Sequence, residues 1–143
     1  MRVAAIDLGT RRIGVAVSDS RGLLATPRGT VARGGDAEAD RAAVVAAVVE
    51  AGAERLIVGL PLSLDGHRRQ AALAAELEAD ALRVLLAPSG VAVETFDERL
   101  TTVSAERSLA AAGVGGRARR KVVDQAAATV LLQAWLDARR PPA

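Results

Sequence analysis

The sequence contains no cysteine and no tyrosine, one lysine, one phenylalanine (Phe96) and one tryptophan (Trp135). Without cysteine there can be no disulfide, no thiolate catalysis and no cysteine-ligated zinc. The scarcity of aromatic rings removes the stacking platforms with which RRM and OB modules hold single strands. Long hydrophobic runs are missing too: stretches such as 42–49 and 126–132 stay under ten residues, whereas a membrane span needs about 20. The opening residues do not follow the basic-then-apolar plan of a signal peptide, so the expectation is a soluble, cytoplasmic protein with no membrane partner.

What is present is half apolar, and 32 of the 143 residues are alanine and 18 arginine. A chain of this length buries roughly 70% of its unfolded surface, enough for one core without staples. Disorder is excluded by the same composition. No repeat, linker or shift in composition divides the chain, so the reading is a single domain over 1–138 with a short tail, 139–143.

The isoelectric point near 10.3 exaggerates the charge, because the formal net charge is only +2. With one lysine and no tyrosine or cysteine, little titrates between neutrality and the arginine range. The distribution says more. Residues 99–121 hold six bases (Arg99, Arg107, Arg117, Arg119, Arg120, Lys121) against one acid, Glu106, a local +5, and the remainder is −3. A basic stretch on a mildly acidic body attracts phosphates, although a solvated helix face also explains such a run.

Apolar segments at 2–7, 13–18 and 23–31 are separated by turn residues and predict three antiparallel strands. Asp36 is placed to cap a helix running to about Ala51, with Val44, Val45, Val48 and Val49 as its stripe and Gly52 at its end. A buried strand follows at 56–60. A helix over about 68–86 is predicted with Leu73, Leu77, Ala81, Val84 and Leu85 as its apolar positions, and Pro88 to Gly90 stop it. Another strand is expected at 91–96, a helix from Thr101 or Thr102 to Gly113, and a last helix over about 118–138. The order βββαβαβαα implies an α/β protein with a mixed sheet and helices on both faces.

Three of these elements carry a carboxylate to a place where it should be partly buried: Asp7 at the end of an apolar strand, Asp97 and Glu98 after another, and Asp124 within the last helix. Burial is costly unless cations or donors compensate it, and acids converging from separate elements suit hard divalent ions. Each also has a plainer explanation. Asp7 can brace its turn, and Asp124 can pair with Arg120 or Lys121 on a helix surface. Asp97 and Glu98 point to opposite sides in extended chain, so at most one faces a shared centre.

The segments Ile6 to Asp19, Ile57 to Gly66, Asp97 to Thr102 and Lys121 to Ala127 resemble, in order and across nearly the whole chain, the signatures of the YqgF/RuvX family. That family is described as Holliday junction resolvases and as nucleases maturing the precursor of 16S ribosomal RNA. The resemblance implies a ribonuclease-H-like fold and an acidic triad of Asp7, Glu98 and Asp124, both catalytic and metal-binding. In the related RuvC resolvases an acid ends the fourth strand. Here that position reads Gly59 to Leu62, so Glu98 would take the role from the next strand, with Asp97 as a substitute.

Two-metal hydrolysis of a phosphodiester needs carboxylates that hold the ions close together. Magnesium or manganese is implied, since zinc sites recruit His or Cys and the chain has one histidine, His67, in a polar turn. Arg12, Arg99, Arg120 and Lys121 flank the acids in sequence and offer donors to phosphate. Thr101 and Thr102 at a helix start can do the same or simply cap the helix. The partner expected is nucleic acid, with RNA favoured and branched DNA the alternative. Because the large apolar side chains are assigned to interior stripes, a monomer or weak homodimer is expected.

Other readings are weaker. Gly113 to Ala118 matches G-x-G-x-x-A but follows a predicted helix, so it is no dinucleotide fingerprint. The residues from Asp7 to Gly14 also resemble the first phosphate loop of actin-like and sugar-kinase-like ATPases, yet those need two domains and there is room for one. A non-catalytic nucleic-acid-binding module is the remaining alternative.

Overall fold

The computed structural model describes residues 1–61, 70–98 and 116–139, with the side chains of the last segment described from Ala126 onward. Among these residues five strands and three α-helices follow in the order β1 (Val3–Leu8), β2 (Arg12–Ser18), β3 (Ala25–Ala32), α1 (Ala37–Glu50), β4 (Arg55–Leu60), α2 (Gln70–Leu86), β5 (Ala92–Asp97) and α3 (Gly116–Arg139). The predicted helix over 101–113 lies outside the described residues.

The strands form one sheet in the order β3-β2-β1-β4-β5. β1, β2 and β3 pair antiparallel, as a meander with short turns must. β4 and β5 add in parallel to the other side of β1. Being central and covered on both faces, β4 carries consecutive buried residues Leu56, Ile57 and Val58 rather than an alternating pattern. The mixed sheet with helices on both faces is the architecture that the sequence pattern implies.

Strand alternation divides the core in two. Ala4, Ile6, Leu56 and Val58 face α1 and α2 and meet Val44, Val48, Leu82 and Leu86. Val3, Ala5 and Ile57 face the other way, against Ala128, Leu131, Leu132 and Trp135 of α3. α3 lies across β1, β2 and β3. Its Gln133 accepts a hydrogen bond from the Ala25 amide at 2.9 Å and donates to the Leu23 carbonyl at 3.0 Å, tying the helix to the β2–β3 turn.

Three expectations are corrected. The third strand starts at Ala25 rather than Leu23, because Asp19 Oδ1 accepts from the amides of Leu23 and Leu24 and holds them in the turn. On α1, Asp36 caps as predicted, accepting from Glu38 and Ala39, and Val44 and Val48 are buried, but Val49 is exposed.

On α2 the buried side is Ala72, Ala75, Ala79, Leu82 and Leu86. The predicted stripe instead faces solvent, with Leu73 52%, Leu77 69%, Val84 73% and Leu85 47% exposed. Both sets have helical spacing. The alanine face wins because small side chains let the helix approach the sheet closely and fill the space at interior density. The premise that the large apolar side chains are mostly taken up by interior stripes therefore fails for Leu73, Leu77, Val84 and Leu85. Among the described residues, no helix is long and apolar enough to cross a membrane.

Candidate active site

β1, β4 and β5 run parallel, so their carboxyl ends open at the same edge of the sheet, where ligands of open α/β sheets gather. Asp7 is the penultimate residue of β1. The pleat puts it on the α3 face with Val3 and Ala5. Glu98 directly follows β5, and its amide donates to the Leu60 carbonyl at 3.2 Å, so the ladder continues one residue beyond the strand. Counting back by twos gives Phe96, which packs against the α3 cluster, so Glu98 shares that face. Asp97 falls on the opposite one.

Asp7 and Glu98 thus come from strands that are not neighbours, and β4 runs between them. Their carboxyl groups nevertheless meet in a hydrogen bond. Both are half-buried. Burial raises the Asp7 carboxyl above its usual range, partly offset by the hydrogen bond it accepts from Glu98. Glu98 is pushed up to about 8, first by burial, then by its hydrogen bond to Asp7 and by the charges of Asp7 and Asp97. At neutral pH Glu98 therefore keeps its proton and donates it to Asp7 in the hydrogen bond.

The residue between them is Gly59. A methyl group there would overlap Glu98 Oε2 and come within 3.1 Å of Leu131 Cδ2. The place where an acid on the fourth strand would project is filled by the carboxyl of Glu98. Sequence reasoning noticed the missing acid but not the need for the glycine. The signal was a glycine inside an otherwise apolar buried strand, where it weakens the sheet unless close approach requires it.

Arg12 opens β2 at the same edge as Asp7. Gly14, two residues later on the same face, stands directly opposite Asp7. Asp124 belongs to α3 at a position four residues before Ala128, and Arg120 and Lys121 precede it on the same helix. The side chains of these three are outside the described residues, as are Arg99, Thr101, Thr102 and His67 altogether. Of the expected triad, the structure brings Asp7 and Glu98 together.

A family model described as "RuvX: Holliday junction resolvase" matches residues 1–138. The chain belongs to the RuvX family. A Myxococcus xanthus relative described as "Putative pre-16S rRNA nuclease" is 47% identical over 142 residues, covering 99% of this chain and 91% of its own. A Thermobifida fusca relative of the same description is 51% identical and covers 95% and 87%. Among solved structures, T. thermophilus RuvC in complex with Holliday junction substrate superposes with a TM-score of 0.60 at 20% identity, covering 97% of this chain and 95% of that one. This likeness establishes a ribonuclease-H-like fold for the RuvX chain.

Proposed function

We propose that the protein is a metal-dependent nuclease that hydrolyses phosphodiester bonds, with RNA as its main substrate, and that residues 1–138 form one nuclease domain acting in the cytoplasm. The observation that carries this reading is the meeting of Asp7 and Glu98 at the carboxyl edge of the sheet. Two adjacent carboxyls that retain a proton near neutrality mark a place short of positive charge. Their all-oxygen donor set fits magnesium or manganese.

Asp7, on β1 at the middle of the sheet, would hold the ions together with Glu98 and Asp124. A divalent cation there supplies the charge that polarises the phosphodiester and stabilises the departing oxygen. Glu98 would hold the cation as its carboxylate. Arg12, Arg99, Arg120 and Lys121, with Thr101 and Thr102, would hold the flanking phosphates of the substrate by charge and hydrogen bonding.

RNA is favoured because the curated relatives near 50% identity carry the pre-16S rRNA name, and one active site suffices to trim or nick RNA. Monomers or weak dimers meet that need. The second reading, resolution of four-way DNA junctions, is favoured by the family description. It requires two sites related by a two-fold axis.

The test is incubation of the protein with structured RNA, single-stranded RNA and a four-way DNA junction, each with magnesium, manganese or chelator. Cation-dependent RNA cleavage, abolished in a folded Asp7→Asn variant, is the expected result. Paired symmetric nicks in the junction with RNA intact would support the second reading instead. Full activity of Asp7→Asn would end both.

A further inference from the structure

Adjacent strands of a sheet lie about 4.8 Å apart, so the backbones of β1 and β5, separated by β4, are roughly 9.6 Å apart. An Asp on one and a Glu on the other touch only if the longer side chain lies across the middle strand. That path must be clear. On β4 the position at this level and on this face is Gly59, paired with Phe96 of β5 and next after the Val58 that pairs with Ile6 of β1.

Nothing in the backbone explains a glycine here. Gly59 is not among the positive-φ glycines of the described residues, which are Gly22, Gly29, Gly35, Gly52 and Gly90, and it lies within a regular strand. Its neighbours Leu56, Ile57, Val58 and Leu60 are the buried branched residues that a central parallel strand favours. A glycine among them gives up packing and loses more chain entropy on folding than any substitute. What it provides is space, and that space holds Glu98: a Cβ would overlap Oε2 and approach Cδ to 3.4 Å.

We propose that Gly59 is a positioning residue whose missing side chain lets Glu98 lie across β4 and bring its carboxyl against Asp7. Strand β4 contributes a vacancy to the site rather than a ligand, and the acid comes from the next strand with an arm long enough to cross it. The pairing of a glycine on β4 with a glutamate after β5 is one device. Neither residue reaches the observed arrangement without the other. The inference rests on reading Asp7 and Glu98 as the ion-binding pair.

The test uses the full-length protein and two readouts, thermal melting in chelator and manganese binding by calorimetry. Gly59→Ala is expected to lower the melting temperature and to weaken manganese binding at least about tenfold, the scale on which misplaced support of a metal ligand is felt. The melting cost should largely vanish when Glu98→Ala is added, because the overlap is then gone, and should persist when Leu131→Ala is added. Should Gly59→Ala alone fail to fold, a folded Gly59→Ala/Glu98→Ala protein gives the same support.

Rescue by Leu131→Ala but not by Glu98→Ala would overturn the proposal, making Gly59 a seat for α3. So would unchanged manganese affinity in folded Gly59→Ala. Wild-type protein that binds no manganese while the melting dependence on Glu98 holds would sink the ion-site reading and leave the steric relation standing.

Discussion

Glu98, one residue past the end of β5, donates a hydrogen bond to Asp7 on β1 across the intervening strand, and burial raises both half-buried carboxyls above the usual carboxylate range. Burial first, then the hydrogen bond to Asp7 and the neighbouring acidic charges, hold the Glu98 carboxyl at about 8, a cost that a cation beside it would offset.

The two neighbouring acids should differ sharply on mutation. Glu98→Gln is expected to abolish cleavage as completely as Asp7→Asn, whereas Asp97→Asn, on the opposite face of the extended chain, should cost less than about tenfold. Rates measured under single-turnover conditions with manganese check this. An equal loss in both would show that Asp97 also serves the site.

Stability of the cation-free protein should depend on pH with a definite sign. Glu98 ionises near 4.5 in the unfolded chain and near 8 in the fold. Over that interval the folded state binds the extra proton, so its stability falls as pH rises and levels off above about 8. Allowing for solvent screening of a half-exposed group, the loss should be on the order of 2 kcal/mol. Melting in chelator from pH 5 to 9 measures it. Glu98→Gln should flatten the curve, and manganese should raise the melting temperature more at pH 8 than at pH 6.

Phosphate binding by Arg120 and Lys121 predicts a change in salt dependence. Replacing both with Ala should weaken RNA binding similarly for different sequences. It should also lower the slope of log affinity against log salt by about 0.7 to 0.9 for each phosphate that is no longer neutralised. A slope that does not change would leave these two residues as helix-surface partners of Asp124.

The face of α2 that packs inward gives a stability test independent of function. Leu82→Ala removes a buried side chain and should cost about 3 kcal/mol in denaturant unfolding. Leu77→Ala, on the exposed side, should stay within about 0.5 kcal/mol. The reverse ranking would return α2 to the orientation expected from its leucines.

The elements themselves were readable because their causes are local. Turn residues bracket β1 and β2, Asp36 caps α1, and Gly52 and Gly90 adopt positive φ at element ends. Asp7, Asp97, Glu98 and Asp124 stood out from their places at the ends of apolar strands and within the last helix. Strand alternation let at most one of Asp97 and Glu98 face the centre, and the family resemblance rather than the alternation named Glu98. The buried side of α2 was not readable, because Leu73, Leu77 and Val84 repeat with the same helical period as Ala75, Ala79 and Leu82. Only packing against the sheet distinguishes the two.

By itself the sequence determined the strand and helix order, the mixed sheet they imply and the positions of the acids, since periodicity, capping and turn chemistry act over a few residues. Tertiary structure alone decided that β4 lies between β1 and β5, and hence that Gly59 separates Asp7 from Glu98. That placement depends on parallel pairing between segments tens of residues apart. The hydrogen bond between the two acids and the clearance over Gly59 exist only once those strands have docked.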